Sequence, residues 1–167
     1  MFWADSKARQ RFEEAMEFFT ASLRIRERPG HEHGVAVTSD SIGTTPAYLG
    51  KFEEAVRFHL RAIDMFEAAE NRAAWAMTMN NLAYTLTKKD DPAEAANICT
   101  QAIEVCEELQ IHPALAAAKG TLIGIQLGSH RYDEAVQTCQ QVLAIPPGHR
   151  DAYTEGSIFI DCGEASR

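Results

Sequence analysis

The chain has 167 residues and a mass of 18.5 kDa, which suits one ordinary domain or one short repeat array and leaves no room for two large domains. It is 46% hydrophobic, 24% charged and 8% aromatic, with 10 Gly and 6 Pro, which excludes collagen-like, low-complexity and wholly disordered classes. Its 16 Lys and Arg stand against 24 Asp and Glu for a formal net charge of -8, and no basic cluster is free of interleaved acids, so no nucleic-acid partner is expected.

The N-terminus, MFWADSKARQ, lacks the apolar core of a secretory signal, and no apolar run reaches the ~20 residues that span a bilayer. A cytoplasmic protein with no membrane partner is expected. Residues 1–35 balance their charges, so the net negative charge lies beyond them. The segments RFEEAMEFFTASLRI, KFEEAVRFHLRAIDM, DPAEAANICTQAIEV and RYDEAVQTCQQVLAI then begin at Arg11, Lys51, Asp91 and Arg131, each 40 residues after the last. Self-similarity at a fixed period of this size marks a repeat architecture.

The aligned columns carry packing information. Ala15, Ala55, Ala95 and Ala135 share one column, which suggests a close helix crossing. Phe19, His59, Cys99 and Cys139 share another, and Leu23, Ile63, Ile103, Leu143 with Ile25, Met65, Val105, Ile145 continue an apolar face at helical spacing. The Glu14, Glu54, Glu94, Glu134 column falls in the first helical turn, where a carboxylate interacts well with the helix dipole. Its recurrence marks these acids as helix-start charges and not as a catalytic acid and base.

A second helix precedes each later copy: Ala36, Ala76 and Ala116 align, as do Ile42, Leu82 and Leu122. The unit reads as helix A, tight turn, helix B, then a longer loop (RPGHEHG, AAENRA, LQIHPA). The expected units span about 1–30 (truncated), 36–68, 76–108 and 116–147, with a partial C-terminal helix over 150–161. Gly50, Asp90 and His130 share the tight-turn column, which calls for a left-handed or turn conformation. Pro46 falls inside a helix A, whereas Pro92 falls in a first turn that tolerates it. Pro146 and Pro147 stop the last helix B.

Gly50, Phe52, Ala55 and Ala62, with Ile42 and Gly43 before them and Tyr132, Ala135 and Pro147 in the last copy, resemble the tetratricopeptide repeat, whose usual period is 34. The extra residues of each unit are expected at the B-to-A junction. The wording of the repeats, such as MTMNNLAYTL, is similar to the C-terminal arrays of bacterial SARP/AfsR-type regulators. The resemblance implies an all-α, right-handed superhelical solenoid of antiparallel helix pairs whose concave face is lined by A helices. Removing the buried columns leaves Met77, Asn80, Asn81, Tyr84 and Lys88 as groove residues in the third unit. Asp40, Ser41, Thr44 and Tyr48, with Val37, are the counterparts in the second, and Thr121 with Ala117, Gly120, Gly124 and Gly128 in the fourth. An Asn side chain offers two donors and an acceptor, suited to gripping a peptide backbone.

No catalytic reading survives. There is no phosphate loop, no GxSxG elbow and no HExxH. His31 and His33 read as solvated loop histidines, His59 as a packed interface histidine, and Cys99, Cys106, Cys139 and Cys162 as reduced, mostly buried thiols. No cofactor and no metal are expected. The expected function is a non-catalytic scaffold or adaptor that binds a protein or peptide in its concave groove. The alternative is a ligand- or peptide-responsive regulatory segment of a larger bacterial transcription regulator. Phe2, Trp3, Ile158 and Phe159 at the expected uncapped ends favour self-association or a missing neighbour.

Overall fold

In the computed structural model, helices start at evenly stepped positions: α1 (Glu32–Tyr48), α2 (Phe52–Ala68), α3 (Arg72–Lys88), α4 (Pro92–Glu108), α5 (His112–Gly128) and α6 (Tyr132–Leu143). The structure describes residues 32–48, 51–89, 91–146, 162 and 163, with helical conformation also at residues 10, 13, 14, 17, 18, 20 and 21; for residues 45–48 it describes the backbone alone. No strand occurs among the described residues. The chain divides into two compact units, Met1–Asn71 and Arg72–Arg167. In the first, α1 packs on α2; in the second, α3 packs on α4, α4 on α5, α5 on α6, and α3 also on α5.

Among the described residues the longer B-to-A loop expected from sequence is not present. Only residues 69–71 separate α2 from α3, and only 109–111 separate α4 from α5, matching the span of 129–131 between α5 and α6. The intervening Ala, Glu and Leu residues are good helix formers and extend the helices to 17 residues. Each connection is closed by one recurrent device. The Asn71 N–H donates to the Phe66 carbonyl and the Glu70 N–H to that of Glu67; Ile111 and Gln110 repeat this on Cys106 and Glu107, and Arg131 and His130 on Gln126 and Leu127. This is the Schellman pattern, and it places Glu70, Gln110 and His130 at φ of 53°, 55° and 58°. His130 thus adopts the left-handed turn conformation expected of its column; Gly50 and Asp90 lie outside the described residues.

Antiparallel pairing follows from such short links, and side chains fix it. Arg72, the first residue of α3, forms a bidentate pair with Glu108, the last of α4, at 2.9 and 2.6 Å. The guanidinium holds the Glu108 carboxyl below the usual carboxylate range, first through these hydrogen bonds and then through its charge. His33 at the start of α1 meets the Phe66 ring near the end of α2 edge-on, so it is a helical residue and not a loop one. Asp91 caps α4, accepting from the Glu94 N–H at 3.3 Å with Pro92 at the first helical position, and Glu54, Glu94 and Glu134 stand in first turns. The backbone of α1 stays helical through Pro46 to Tyr48.

Ala55, Ala95 and Ala135 are fully buried, as are Ala62, Ala102 and Val142 seven residues on. The His59, Cys99, Cys139 column is buried too. Leu143 departs from the expected apolar face: it is exposed in the last turn of α6. Ala15, Phe19, Leu23 and Ile25 lie outside the described residues.

His59 explains its neighbours. Its ring is completely buried with Nδ1 2.8 Å from Asp40 Oδ1, and it lies so close to α1 that a Cβ on Gly43 would stand 2.6 Å from its Cε1. One period on, Ala83 stands in the Gly43 column with Cys99 in the His59 column; one further, Ile123 is there with Cys139. Ile123 and Cys139 share one buried cluster. From the first hairpin to the second the A-helix residue grows as the B-helix residue shrinks, as an interior of constant density requires, whereas in the third Ile123 adds volume beside an unchanged cysteine.

The thiols divide. Cys99 and Cys106 are free and buried, and Cys99 Sγ donates to the Ala118 carbonyl at 3.1 Å. Burial first, and neighbouring Cys106 second, push the Cys99 thiol up to about 12, and burial likewise raises that of Cys106. Cys139 is bonded to Cys162, correcting the expectation of four reduced thiols. In the last hairpin polar groups enter the interior. Thr138 donates to Gln126 Oε1 at 3.0 Å, and buried Lys119 reaches Glu107 on α4 at 2.9 Å and Gln141 on α6 at 2.8 Å.

Four substitutions check this packing in equilibrium unfolding. Gly43→Ala lowers stability by about 1–3 kcal/mol despite the better helix propensity of alanine, and in combination with His59→Cys the two effects fail to add by at least about 1 kcal/mol. Simple additivity contradicts the packing account. Gln110→Gly raises stability by about 0.5–1 kcal/mol, because glycine adopts the left-handed conformation without the Cβ penalty and offsets its larger backbone entropy. Lys119→Met, which places at α5 the residue that α3 carries as Met79, changes stability by no more than about 1 kcal/mol, since a pair between a buried lysine and the exposed Glu107 carboxylate gains little over apolar packing; a loss of several kcal/mol contradicts that reading.

Candidate partner-binding surface

Helix α3 is buried around most of its circumference. Ala76, Thr78, Met79, Leu82, Ala83, Thr85 and Leu86 all lie inside, because the helix contacts both α4 and α5. What remains outward is a narrow stripe at helical spacing: Met77 is 54% exposed, Tyr84 43% exposed, and Lys88 is exposed one turn further. Lys88 Nζ sits over the Tyr84 ring, 5.0 Å from its centroid, a cation–π contact that orders both side chains. Asn80 and Asn81 flank the stripe half-buried, and Asn80 Oδ1 is buried with no hydrogen-bond partner. Such an acceptor costs about 1–3 kcal/mol while unmade, and its burial keeps it out of reach of the outward face.

On neighbouring α5, Thr121 is half-buried and donates its hydroxyl to the Ala117 carbonyl at 3.3 Å. A Cβ at Gly124 or Gly128 would meet nothing within 4 Å, so this part of α5 is an open shelf. Met77, Asn80, Asn81, Tyr84 and Lys88 are thus brought together on one helix, with Thr121 on a helix packed against it.

In the first unit, α1 carries the counterparts. Val37 is exposed, while Asp40, Ser41 and Thr44 are half-buried. Ser41 donates to the Val37 carbonyl at 2.9 Å and Thr44 to that of Ser41 at 2.8 Å, so these bonds engage the single donor of each hydroxyl. Asp40 faces both ways: its side chain is 20% exposed, and one carboxylate oxygen holds His59. That pairing spans 19 residues and was missed in sequence reasoning; the signal available was Gly43, whose missing side chain makes room for the ring. The side chain of Tyr48 lies outside the described residues.

Among the described residues no group of three or more His, Cys, Asp or Glu side chains could hold a metal ion, and no helix is long and apolar enough to cross a membrane.

Comparison with curated proteins finds no match. Two family models match, both described as tetratricopeptide repeat, one over residues 5–68 and the other over residues 75–109. The first takes in the whole of α1 and α2, the second nearly all of α3 and α4; α5 and α6 lie beyond both yet start at the next even steps and bury alanine at the same columns. With hairpins built this way and both matched segments falling on them, the chain belongs to the tetratricopeptide repeat family.

Proposed function

We propose that this chain is a non-catalytic interaction module that holds a peptide of a partner protein across the outward face of α3 and the adjoining shelf of α5. The observation that carries this is the exposed stripe of Met77, Tyr84 and Lys88, with Asn80 and Asn81 half-buried at its edge. Apolar, aromatic and cationic groups in one row are what a partner's side chains bury against, and aromatic anchors supply a large share of binding energy at interfaces. Asn80 and Asn81 contribute donors and acceptors that suit a peptide main chain and place little demand on its sequence. The glycine shelf leaves space for bulky groups of the peptide. The same surface serves equally in a peptide-responsive segment of a larger regulator; the two uses separate on whether binding alters an attached output domain.

Peptides selected from a random display library on the folded chain test the assignment. Tyr84→Ala and Asn81→Ala weaken the selected peptides at least about tenfold, equivalent to about 1.4 kcal/mol, with helical content unchanged, whereas Glu104→Ala on exposed α4 leaves affinity intact. Affinity that is indifferent to both α3 substitutions contradicts the proposal.

A further inference from the structure

Charge is sorted by helix in the second unit. Neither α3 nor α5 carries an acidic residue, and neither α4 nor α6 carries Lys or Arg. The acids Glu94, Glu104, Glu107, Glu108, Asp133 and Glu134 all stand on the B helices. Two of the three Lys and Arg residues on the A helices are matched on α4: Arg72 by Glu108 and Lys119 by Glu107. Lys88 is the third. Its ammonium lies over the Tyr84 ring, and among the described residues no carboxylate pairs with it. Asp91, the described acid nearest to it in sequence, accepts from the Glu94 N–H as the cap of α4. A cation in a last turn is favoured by the helix dipole, yet the last turns of α2, α4, α5 and α6 carry none, so the repeat does not require one there.

Met77, Asn81, Tyr84 and Lys88 fall on one line, since steps of four, three and four residues return to the same face of a helix. One period on, α5 has Ala117, Thr121, Gly124 and Gly128 at these columns, and a Cβ at either glycine would meet nothing within 4 Å. Large groups on α3 thus adjoin a bare strip on the helix packed against it. A chain lying there meets apolar and aromatic surface at one end and a cation at the other, with no acid on either helix to repel a carboxylate.

We propose that the partner segment held on α3 and α5 is acidic, which rests on the reading of that face as a peptide surface: a Glu or Asp side chain pairs with Lys88 while an apolar side chain covers Met77 and Tyr84. The open strip at Gly124 and Gly128 leaves room for the chain to run on past Lys88, so the carboxylate belongs to a side chain and not to a chain end. Helix geometry sets the spacing. Met77 and Lys88 are eleven residues apart, about 16 Å along the axis at ~1.5 Å per residue. An extended chain covers that distance in about five residues at ~3.3 Å each, so the apolar anchor and the acid stand roughly five positions apart. Lys88 selects as well as attracts, because a basic residue at the same place meets like charge.

A random library of peptides with amidated C-termini, selected on the full folded chain, tests the proposal, because amidation leaves side chains as the sole carboxylates. The selected peptides share a Glu or Asp about five positions from an apolar or aromatic residue. Lys88→Glu weakens them at least about tenfold and Lys88→Gln at least about threefold, with helical content unchanged. Exchanging the peptide's acid for lysine reverses the preference, so that the Lys88→Glu chain binds the exchanged peptide more tightly than the parent chain does. Selected peptides that lack an acid, or that bind Lys88→Glu as well as the parent chain, overturn the acidic specificity; where they still bind Tyr84→Ala poorly, the peptide surface itself stands. Peptides indifferent to Tyr84→Ala and Asn81→Ala, or a selection that yields no binder, overturn both.

Discussion

Buried alanine on helix B is the constraint from which the other features follow. Ala55, Ala95 and Ala135 have no exposed surface, and Ala36, Ala76 and Ala116 on the A helices are almost as completely covered. Side chains this small let helices in a hairpin approach closely, so that dispersion contacts are made by backbone as well as side chains. A larger residue at such a site has nowhere to go in an interior packed to crystal-like density. The remaining columns then take the volume that the close crossing leaves.

That allocation differs from hairpin to hairpin while the backbone keeps its step. In the first, Gly43 makes way for the His59 ring and Asp40 satisfies it. In the second, Ala83 and Cys99 share the same space with no charge involved. In the last, Ile123 fills the A-helix side, and Gln126 with Thr138 places a polar pair where α3 and α4 carry Leu86 and Ile98. The A helices spend most of their circumference on these contacts. In α3 what is left over is a row of Met77, Tyr84 and Lys88, and a surface left out of the packing in this way is free to be shaped by a ligand.

Much of this was legible in the sequence, for a physical reason in each case. Recurrence of alanine at one column has few explanations other than helix crossing, and acids at Glu54, Glu94 and Glu134 mark helix starts because the dipole favours them there. The lengths of the connections were not legible. Residues such as those of AAENRA carry good helix propensity up to the point where the chain turns, and the left-handed caps at Glu70 and Gln110 are held by backbone bonds that leave little trace in side-chain identity. Asp40 reads as a surface acid until the His59 ring is placed 2.8 Å away. The Cys139–Cys162 pair was hidden because the number and spacing of four cysteines allow three pairings, and only the repeat register distinguishes among them. The outward stripe of α3 was found by subtracting buried columns, yet the unpartnered Oδ1 of Asn80 belongs to the three-dimensional arrangement alone.

The claim that the alanine crossing sets the architecture is tested most directly by equilibrium unfolding of Ala95→Leu beside Ala93→Leu, an exposed position on the same helix. The account predicts a loss of about 1–3 kcal/mol or more for Ala95→Leu and a change within about 0.5 kcal/mol for Ala93→Leu. Equal, small effects at the two positions would contradict it, because the fully buried alanine would then be only one small residue among many.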